Sequence, residues 1–253
     1  MMELLSKGAR ALNLQLSEAQ LRAFQIYYEE LVAWNERFNL TTITSYENVQ
    51  VKHFLDSLSC ALALPKGTAS CIDVGSGAGF PGIPLKIARP ELSLALLETT
   101  GKKVAFLCHL IECLGLKEAQ AIKGRAEELG QDSLHRERYE VVLARAVAPL
   151  PVLVEYTLPL CRVGGRVIAQ KGPEAQAEAL ASGYGIAILG GKLARILPVE
   201  LHGLAEERHL VIIEKVFPTP LKYPRRPGIP AKRPLGLQSP PSEQPEQPMM
   251  RSS

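Results

Sequence analysis

Ile72-Asp-Val-Gly-Ser-Gly-Ala-Gly-Phe-Pro-Gly-Ile-Pro84 stands directly after a short apolar run and directly before a helical pattern. Gly75, Gly77 and Gly79 admit positive φ and let the backbone come close to another molecule, while Pro81 and Pro84 suit the first turn of a helix. A strand, a tight turn and a helix in this order place a ligand against the turn. Downstream, short apolar runs at Leu92 to Leu97, Ala119 to Ile122, Glu140 to Ala144 and Arg166 to Ala169 follow the first strand, Cys71 to Val74. Helical segments near Ile83 to Ala88, Lys102 to Leu114, Val152 to Cys161 and Glu174 to Ser182 lie between or after them. Alternation at this spacing predicts a parallel sheet with right-handed crossovers. The pair Leu193 to Leu201 and His209 to Val216 has no clear helix between its members and predicts an antiparallel hairpin at the sheet's edge.

Upstream, residues 1–64 read as helices packed on that α/β core, which spans 65–217. Ser17 with Glu18 marks a helix start, and Leu21, Phe24, Tyr28, Leu31 and Val32 recur at helical spacing. A second helix runs from about Glu47 to Leu62 and stops at Pro65-Lys-Gly. Beyond the core, residues 218–253 carry 10 of the 19 prolines and a net charge of +4, although the whole chain of 253 residues is at +3. Residues 218–237 read as a basic, Pro-rich strap that runs extended over a surface or stays mobile, with Arg225, Arg226, Lys232 and Arg233 as candidate phosphate contacts or as solubilising charge. Residues 238–253 read as disordered.

Apolar residues at 46% and charged residues at 22% are those of an ordinary globular protein. The apolar runs fall short of the roughly 20 residues of a membrane span, and the N-terminus lacks signal-peptide features, so a cytosolic chain is expected. The five cysteines are scattered without a C-x-x-C pair, which predicts small core hydrophobes and neither a disulfide framework nor a metal site.

Two ligands compete for the glycine turn. Gly77-x-Gly79-x-x-Gly82, with Glu98 about 20 residues on, matches the dinucleotide fingerprint of a dehydrogenase. Asp73 argues for the other: a carboxylate at the strand's end repels a pyrophosphate and attracts a cationic sulfonium or an amino group. Asp73-x-Gly-x-Gly-x-Gly resembles the first motif of class I S-adenosylmethionine methyltransferases, in which Glu98 would accept from both ribose hydroxyls.

Further segments narrow the resemblance. Phe38-Asn-Leu-Thr, Lys52-His-Phe-Leu-Asp-Ser, Asp73 to Pro84, Gly101-Lys-Lys-Val-Ala-Phe-Leu, Gly124-Arg-Ala-Glu-Glu, Ala144-Arg-Ala-Val-Ala and Gln170-Lys-Gly-Pro appear in order. Together they resemble the bacterial small-subunit ribosomal RNA guanine-N7 methyltransferases, also called glucose-inhibited division protein B, over about residues 12–234. The resemblance implies a Rossmann-like class I fold, a mostly parallel seven-stranded sheet with an antiparallel edge hairpin and an N-terminal helical extension. It also implies S-adenosylmethionine as cofactor, S-adenosylhomocysteine as product, no metal, and as partner small-subunit (16S) ribosomal RNA, naked or in an assembling subunit, met by a cytoplasmic monomer.

By the same resemblance Gly75 and Phe80 line the cofactor loop, Glu98, Thr99 and Thr100 meet ribose and adenine, Ala126 and Glu127 flank the adenine, and Arg145 stands beside the methyl group. Glu98 departs from the more usual Asp by one methylene. His53 and Asp56, three apart on a helix, are expected to share a face and hydrogen-bond, in catalysis or in a packing network. Lys171, just past the fifth strand, is expected to anchor a phosphate, and Lys102 and Lys103 at a helix start favour an anion nearby. Guanine N7 carries a lone pair and no proton, so its methylation requires no general base, and none is evident. A small-molecule methyltransferase and a cofactor-sensing RNA-binding protein without turnover are the competing readings.

Overall fold

The computed structural model of the protein describes residues 2–201, 203 and 206–236. The expectation of disorder for residues 238–253 lies outside them. Helices come first: α1 (Glu3–Ala11), α2 (Glu18–Phe38), then a continuous helical run of α3 (Tyr46–Asn48), a π-wound stretch (Val49–Leu55), α4 (Asp56–Leu58) and a 3-10 turn (Ser59–Ala63). Ser17 opens α2 through a reciprocal cap, its hydroxyl accepting from the Gln20 N–H at 3.2 Å and its N–H donating to the Gln20 side chain at 2.8 Å. The same Gln20 amide donates to the carbonyls of Ile87 and Ala88, tying α2 to the core.

The core then alternates: β1 (Ser70–Val74), α5 (Gly82–Ala88), β2 (Ser93–Glu98), α6 (Gly101–Cys113), β3 (Ala119–Lys123), α7 (Ala126–Leu129), β4 (Tyr139–Arg145), α8 (Leu150–Thr157) and β5 (Cys161–Lys171). After α9 (Ala175–Ala181) and α10 (Gly183–Ile188) come β6 (Gly191–Val199) and β7 (Arg208–Lys215), and the strap holds a single-turn α11 (Ile229–Lys232). The seven strands run in the order β3-β2-β1-β4-β5-β7-β6, all parallel except β7, which is antiparallel to both neighbours. The parallel sheet and the edge hairpin follow the sequence pattern.

Alternate residues of each strand feed opposite faces. Leu96, Val141, Leu143, Ile168 and Ile212 pack with Phe24, Tyr27 and Leu31 of α2 and with Phe54, whereas Ile72, Leu97, Val142, Val167 and Val211 pack with Leu153 and Leu158 on the other side. Tyr223 and Leu235 of the strap join this second cluster, so the strap lies docked along the core. Strand order reverses between β1 and β4, and a crevice forms at the carboxyl ends of the strands there.

Two expectations are corrected, and one helix is added. The helix drawn to Cys161 ends at Thr157, because Cys161 already pairs with Tyr139 as the first residue of β5, whose register shifts before Val141. The helix expected at 174–182 is present as α9, and a further helix, α10, follows it where none was expected, with Ser182 buried at the joint. Of the cysteines, Cys60, Cys71 and Cys161 are buried, whereas Cys108 and Cys113 are exposed on α6.

Candidate functional site

The glycine turn is shaped from beneath. Asp73, fully buried on β1, accepts the Gly82 N–H at 2.8 Å through Oδ2 and so caps α5, while its Oδ1 is buried with no partner among the described residues. Burial pushes the Asp73 carboxyl up to about 7, against the lowering effect of the Gly82 hydrogen bond and of Arg145. Above, Tyr27 of α2 donates to the Ala78 carbonyl at 2.6 Å, pinning the turn to the N-terminal helices. A Cβ on Gly79, at φ 103°, would stand 2.7 Å from that Tyr27 hydroxyl. Gly77, at φ 59°, is different: a Cβ there would meet nothing nearer than the Gly75 carbonyl at 4.0 Å. Its constraint is the left-handed backbone, with open space over it for a ligand.

Glu98 closes this side of the site. Its carboxylate accepts from the N–H groups of Gly77 at 3.0 Å and Thr100 at 2.8 Å, and from the Thr99 hydroxyl at 3.3 Å. Burial pushes its pKa up, but the Thr100 and Gly77 hydrogen bonds and the charge of Lys103 outweigh it and hold the group below the usual range. Lys103 at the start of α6 thus faces Glu98. A cavity of about 160 Å³ lies alongside, lined by Gly75, Glu98, Thr99, Ala126, Glu127 and Tyr156 among others. Glu127, 6% exposed, accepts the Gly228 N–H at 3.0 Å through Oε1. Asp73, Gly79 and Phe80 act on the turn from outside this lining.

A second cavity, about 380 Å³, gathers Lys52, His53, Asp56, Arg145, Gln170 and Lys171. His53 and Asp56 do not bond to each other, as their spacing suggested; Arg145 reaches both from the end of β4. Its Nη1 donates to Asp56 Oδ2 at 3.0 Å and to the Lys52 carbonyl at 3.3 Å, and its Nη2 lies 3.0 Å from His53 Nδ1. A guanidinium only donates, so Nδ1 accepts and the His53 proton sits on Nε2, 2.9 Å from the Thr41 hydroxyl. Burial and the Arg145 charge lower the His53 pKa to about 3. The imidazole stacks on Phe80 at 4.4 Å, and the guanidinium stands 5.0 Å from the same ring. Burial pushes the Asp56 carboxyl up, opposed by Arg145 and by Arg208, whose Nε is 3.4 Å away.

Three of Arg145's five N–H donors are engaged in this way, leaving Nε–H and one Nη2–H without a partner among the described residues. The next residue, Ala146, holds φ 56°, a conformation that costs a non-glycine residue energy and that clusters at functional sites. Lys171 is placed otherwise than expected: its ammonium donates to the Ala148 carbonyl at 2.7 Å and pairs with Glu178 at 2.8 Å. In the strap, Arg226, Lys232 and Arg233 are exposed, but Arg225 is locked on the buried Glu155 at 2.6 Å. Thr41 and Arg208 were not singled out from the sequence. Thr41 closes the quoted Phe38-Asn-Leu-Thr motif, which was a usable signal, whereas nothing local marks Arg208. Among the described residues Glu30, His109 and Cys113 bring three potential ligand atoms within 4.8 Å, but Glu30 and His109 already hydrogen-bond at 2.6 Å.

The residues present fit S-adenosylmethionine: an open glycine turn, a carboxylate at the end of β2 for hydroxyls, and the orphaned Asp73 oxygen beneath a site for a cation. The family described as GidB, rRNA small subunit methyltransferase G, matches residues 20–211. A protein named ribosomal RNA small subunit methyltransferase G from Roseiflexus sp. (strain RS-1) is 51% identical over 234 residues, covering 92% of this chain and 100% of that protein. One of the same name from Pelotomaculum thermopropionicum is 50% identical, over 92% of this chain and 98% of its own. Among solved structures, a SAM dependent methyltransferase from Aquifex aeolicus matches at TM-score 0.51 and 14% identity, over 70% of this chain and 97% of that one, which bears on the fold alone. The chain belongs to the rRNA small subunit methyltransferase G family.

Proposed function

We propose that this chain transfers a methyl group from S-adenosylmethionine to N7 of a guanine in small-subunit (16S) ribosomal RNA, in line and without a general base. Family membership supports the substrate class. The arrangement at Arg145 carries the chemistry: His53, stacked on Phe80 of the glycine turn, has its lone pair engaged by Nη2 and its basicity suppressed. When bound, the cofactor supplies an electrophilic methyl on a cationic sulfonium. Glu98 and Glu127 orient the nucleoside end of the cofactor, with Gly75, Gly77, Thr99, Thr100 and Ala126 as backbone and small side chains around it. Arg145 keeps two donors for the incoming base. A donor placed on N7 would block attack, so contact at O6 suits it, and holding the base in line is worth several kcal/mol.

Lys171, neutralised by Glu178, holds the 146–149 loop behind Arg145 and so positions it. Arg226, Lys232 and Arg233 on the outer side of the strap, with Arg208 and Lys52 at the rim of the second cavity, track the phosphates. No helix among the described residues is long and apolar enough to cross a membrane.

Incubation with labelled S-adenosylmethionine and, separately, small subunits and naked small-subunit RNA tests the reading once the label is mapped to base and atom. Label at guanine N7 is the expected result. Label on an exocyclic amine, or no turnover on either RNA, would contradict it.

A further inference from the structure

The strap after β7 reaches into the cofactor site. Arg225 grips Glu155, a carboxylate with 0% exposure on α8, with Nε at 2.9 and 3.1 Å from its two oxygens and Nη2 at 2.6 Å from Oε2, and its own backbone N–H donates to Oε1 at 2.8 Å. Upstream, the Arg136 guanidinium donates to the carbonyls of Thr219 and Tyr223, and the Gln131 amide donates to that of Pro224. Tyr223 and Leu235, on either side of this segment, are buried in the core. A backbone held on both sides delivers the Gly228 N–H to Glu127 Oε1. The second Glu127 oxygen accepts no hydrogen bond among the described residues, and the residue lines the 160 Å³ cavity. A carboxylate accepts only, so the untied oxygen selects a donor on whatever fills that cavity.

We propose that the strap is part of the cofactor site: by fixing Glu127 through Gly228, it aims one carboxylate oxygen at the exocyclic amine of the adenine and thereby sets the preference for adenine over a 6-oxo purine. The amine donates to this oxygen, whereas a 6-oxo group would present lone pairs to a charge. α7, which carries Glu127, is only the four residues Ala126–Leu129, and a helix that short does not hold a side chain's direction without an outside tie. Arg225 is then a positioning residue, acting through Gly228 and Glu127, and not a phosphate contact. The inference rests on the reading of this cavity as the adenine end.

Calorimetric titration of the full-length protein with S-adenosylhomocysteine and with S-inosylhomocysteine tests it, for wild type, Glu127→Gln, Arg225→Ala and the double variant. Wild type should prefer the adenine compound by roughly ten- to hundredfold, the range of a charged hydrogen bond. Arg225→Ala should shrink that ratio several-fold, Arg225→Lys should restore part of it, and in the Glu127→Gln background Arg225→Ala should change the ratio no further. Should Arg225→Ala fail to fold, Glu155→Gln, which keeps volume and one acceptor oxygen, takes its place with the same expectation. Equal weakening of both ligands by the strap variant, with the ratio intact, overturns the inference. A ratio that Glu127→Gln leaves unchanged overturns instead the adenine assignment beneath it.

Discussion

Arg145 and Arg225 each close on a carboxylate taken out of water, Asp56 at 3.0 Å and Glu155 at 2.6 Å, but the two pairs are built differently. Arg225 lays Nε and Nη2 along one carboxylate and gives its other Nη2–H to the Arg233 carbonyl; its two Nη1–H groups have no partner among the described residues, so the difference lies in what the engaged donors hold and not in how many are left. Arg145 divides its donors among a carbonyl, a carboxylate and an imidazole, stands on the Phe80 ring and retains two N–H groups. Around it are a histidine pressed to about 3, a strained Ala146 and a cavity; Arg225 meets the buried Glu155 and one backbone carbonyl. An arginine given to a single buried carboxylate fixes a segment. An arginine shared among unlike acceptors beside perturbed groups is where a ligand is handled.

Arg145→Ala should give the largest effect on transfer. It removes the donors that hold the base and leaves the buried Asp56 only its longer contact to Arg208, so single-turnover transfer should fall by at least about a hundredfold, with stability lower by roughly 1–3 kcal/mol. Rapid-quench kinetics and chemical denaturation measure the two parts. Arg225→Ala should lose more stability, roughly 3–5 kcal/mol by denaturation, because Glu155 is left buried with only the residue-225 backbone N–H and no cation beside it. Under saturating cofactor its transfer step should fall far less than that of Arg145→Ala. Equal losses in transfer would erase the distinction between the two arginines.

Asp73 offers a smaller contrast that depends on pH. Its folded pKa of about 7 lies above the roughly 3.9 of an unfolded Asp, so its contribution is fully present below pH 4 and is lost as pH rises through 7. Relative to Asp73→Asn, which keeps an acceptor for Gly82, wild type should lose roughly 2–3 kcal/mol of stability between pH 5 and 8. Parallel denaturation curves of the two proteins read this directly, and a constant difference would place the Asp73 pKa elsewhere. Smallest is the effect of replacing Arg226, Lys232 and Arg233 together by Ala, which should flatten the salt dependence of RNA binding by about 0.7 to 0.9 log unit of slope per lost contact. An unchanged slope would return these exposed cations to a solubilising role.

What the chain shows along its length and what it conceals divide by sequence separation. The glycine turn, its flanking strand and helix, and the parallel sheet with its edge hairpin follow from local periodicity, and Glu98 is found by its distance from the turn. Gly77 was legible as a glycine that must stay one, and its left-handed backbone is the reason. The partner of Arg225 is 70 residues away on α8, and from composition alone a docked strap and a free one look alike. His53 and Asp56 were found as a pair, yet the group between them comes from β4, 89 or more residues on. The π winding of Val49–Leu55 and the left-handed Ala146 have no residue-type signature at all.

Base-free transfer is tested most directly by the pH profile of the single-turnover rate, with RNA and cofactor both saturating, from about pH 6.5 to 8.5. Saturation keeps Asp73 out of the profile, since ionisation of the free enzyme registers in kcat/KM and not in the transfer step. His53, with its pKa near 3, is neutral across the whole window, and its lone pair is engaged by Arg145. The rate should therefore be flat in wild type, and lower but equally flat in His53→Ala. A wild-type rate that rises with pH through the window, and loses that rise in His53→Ala, would contradict the account and with it the assignment of N7 as the methylated atom.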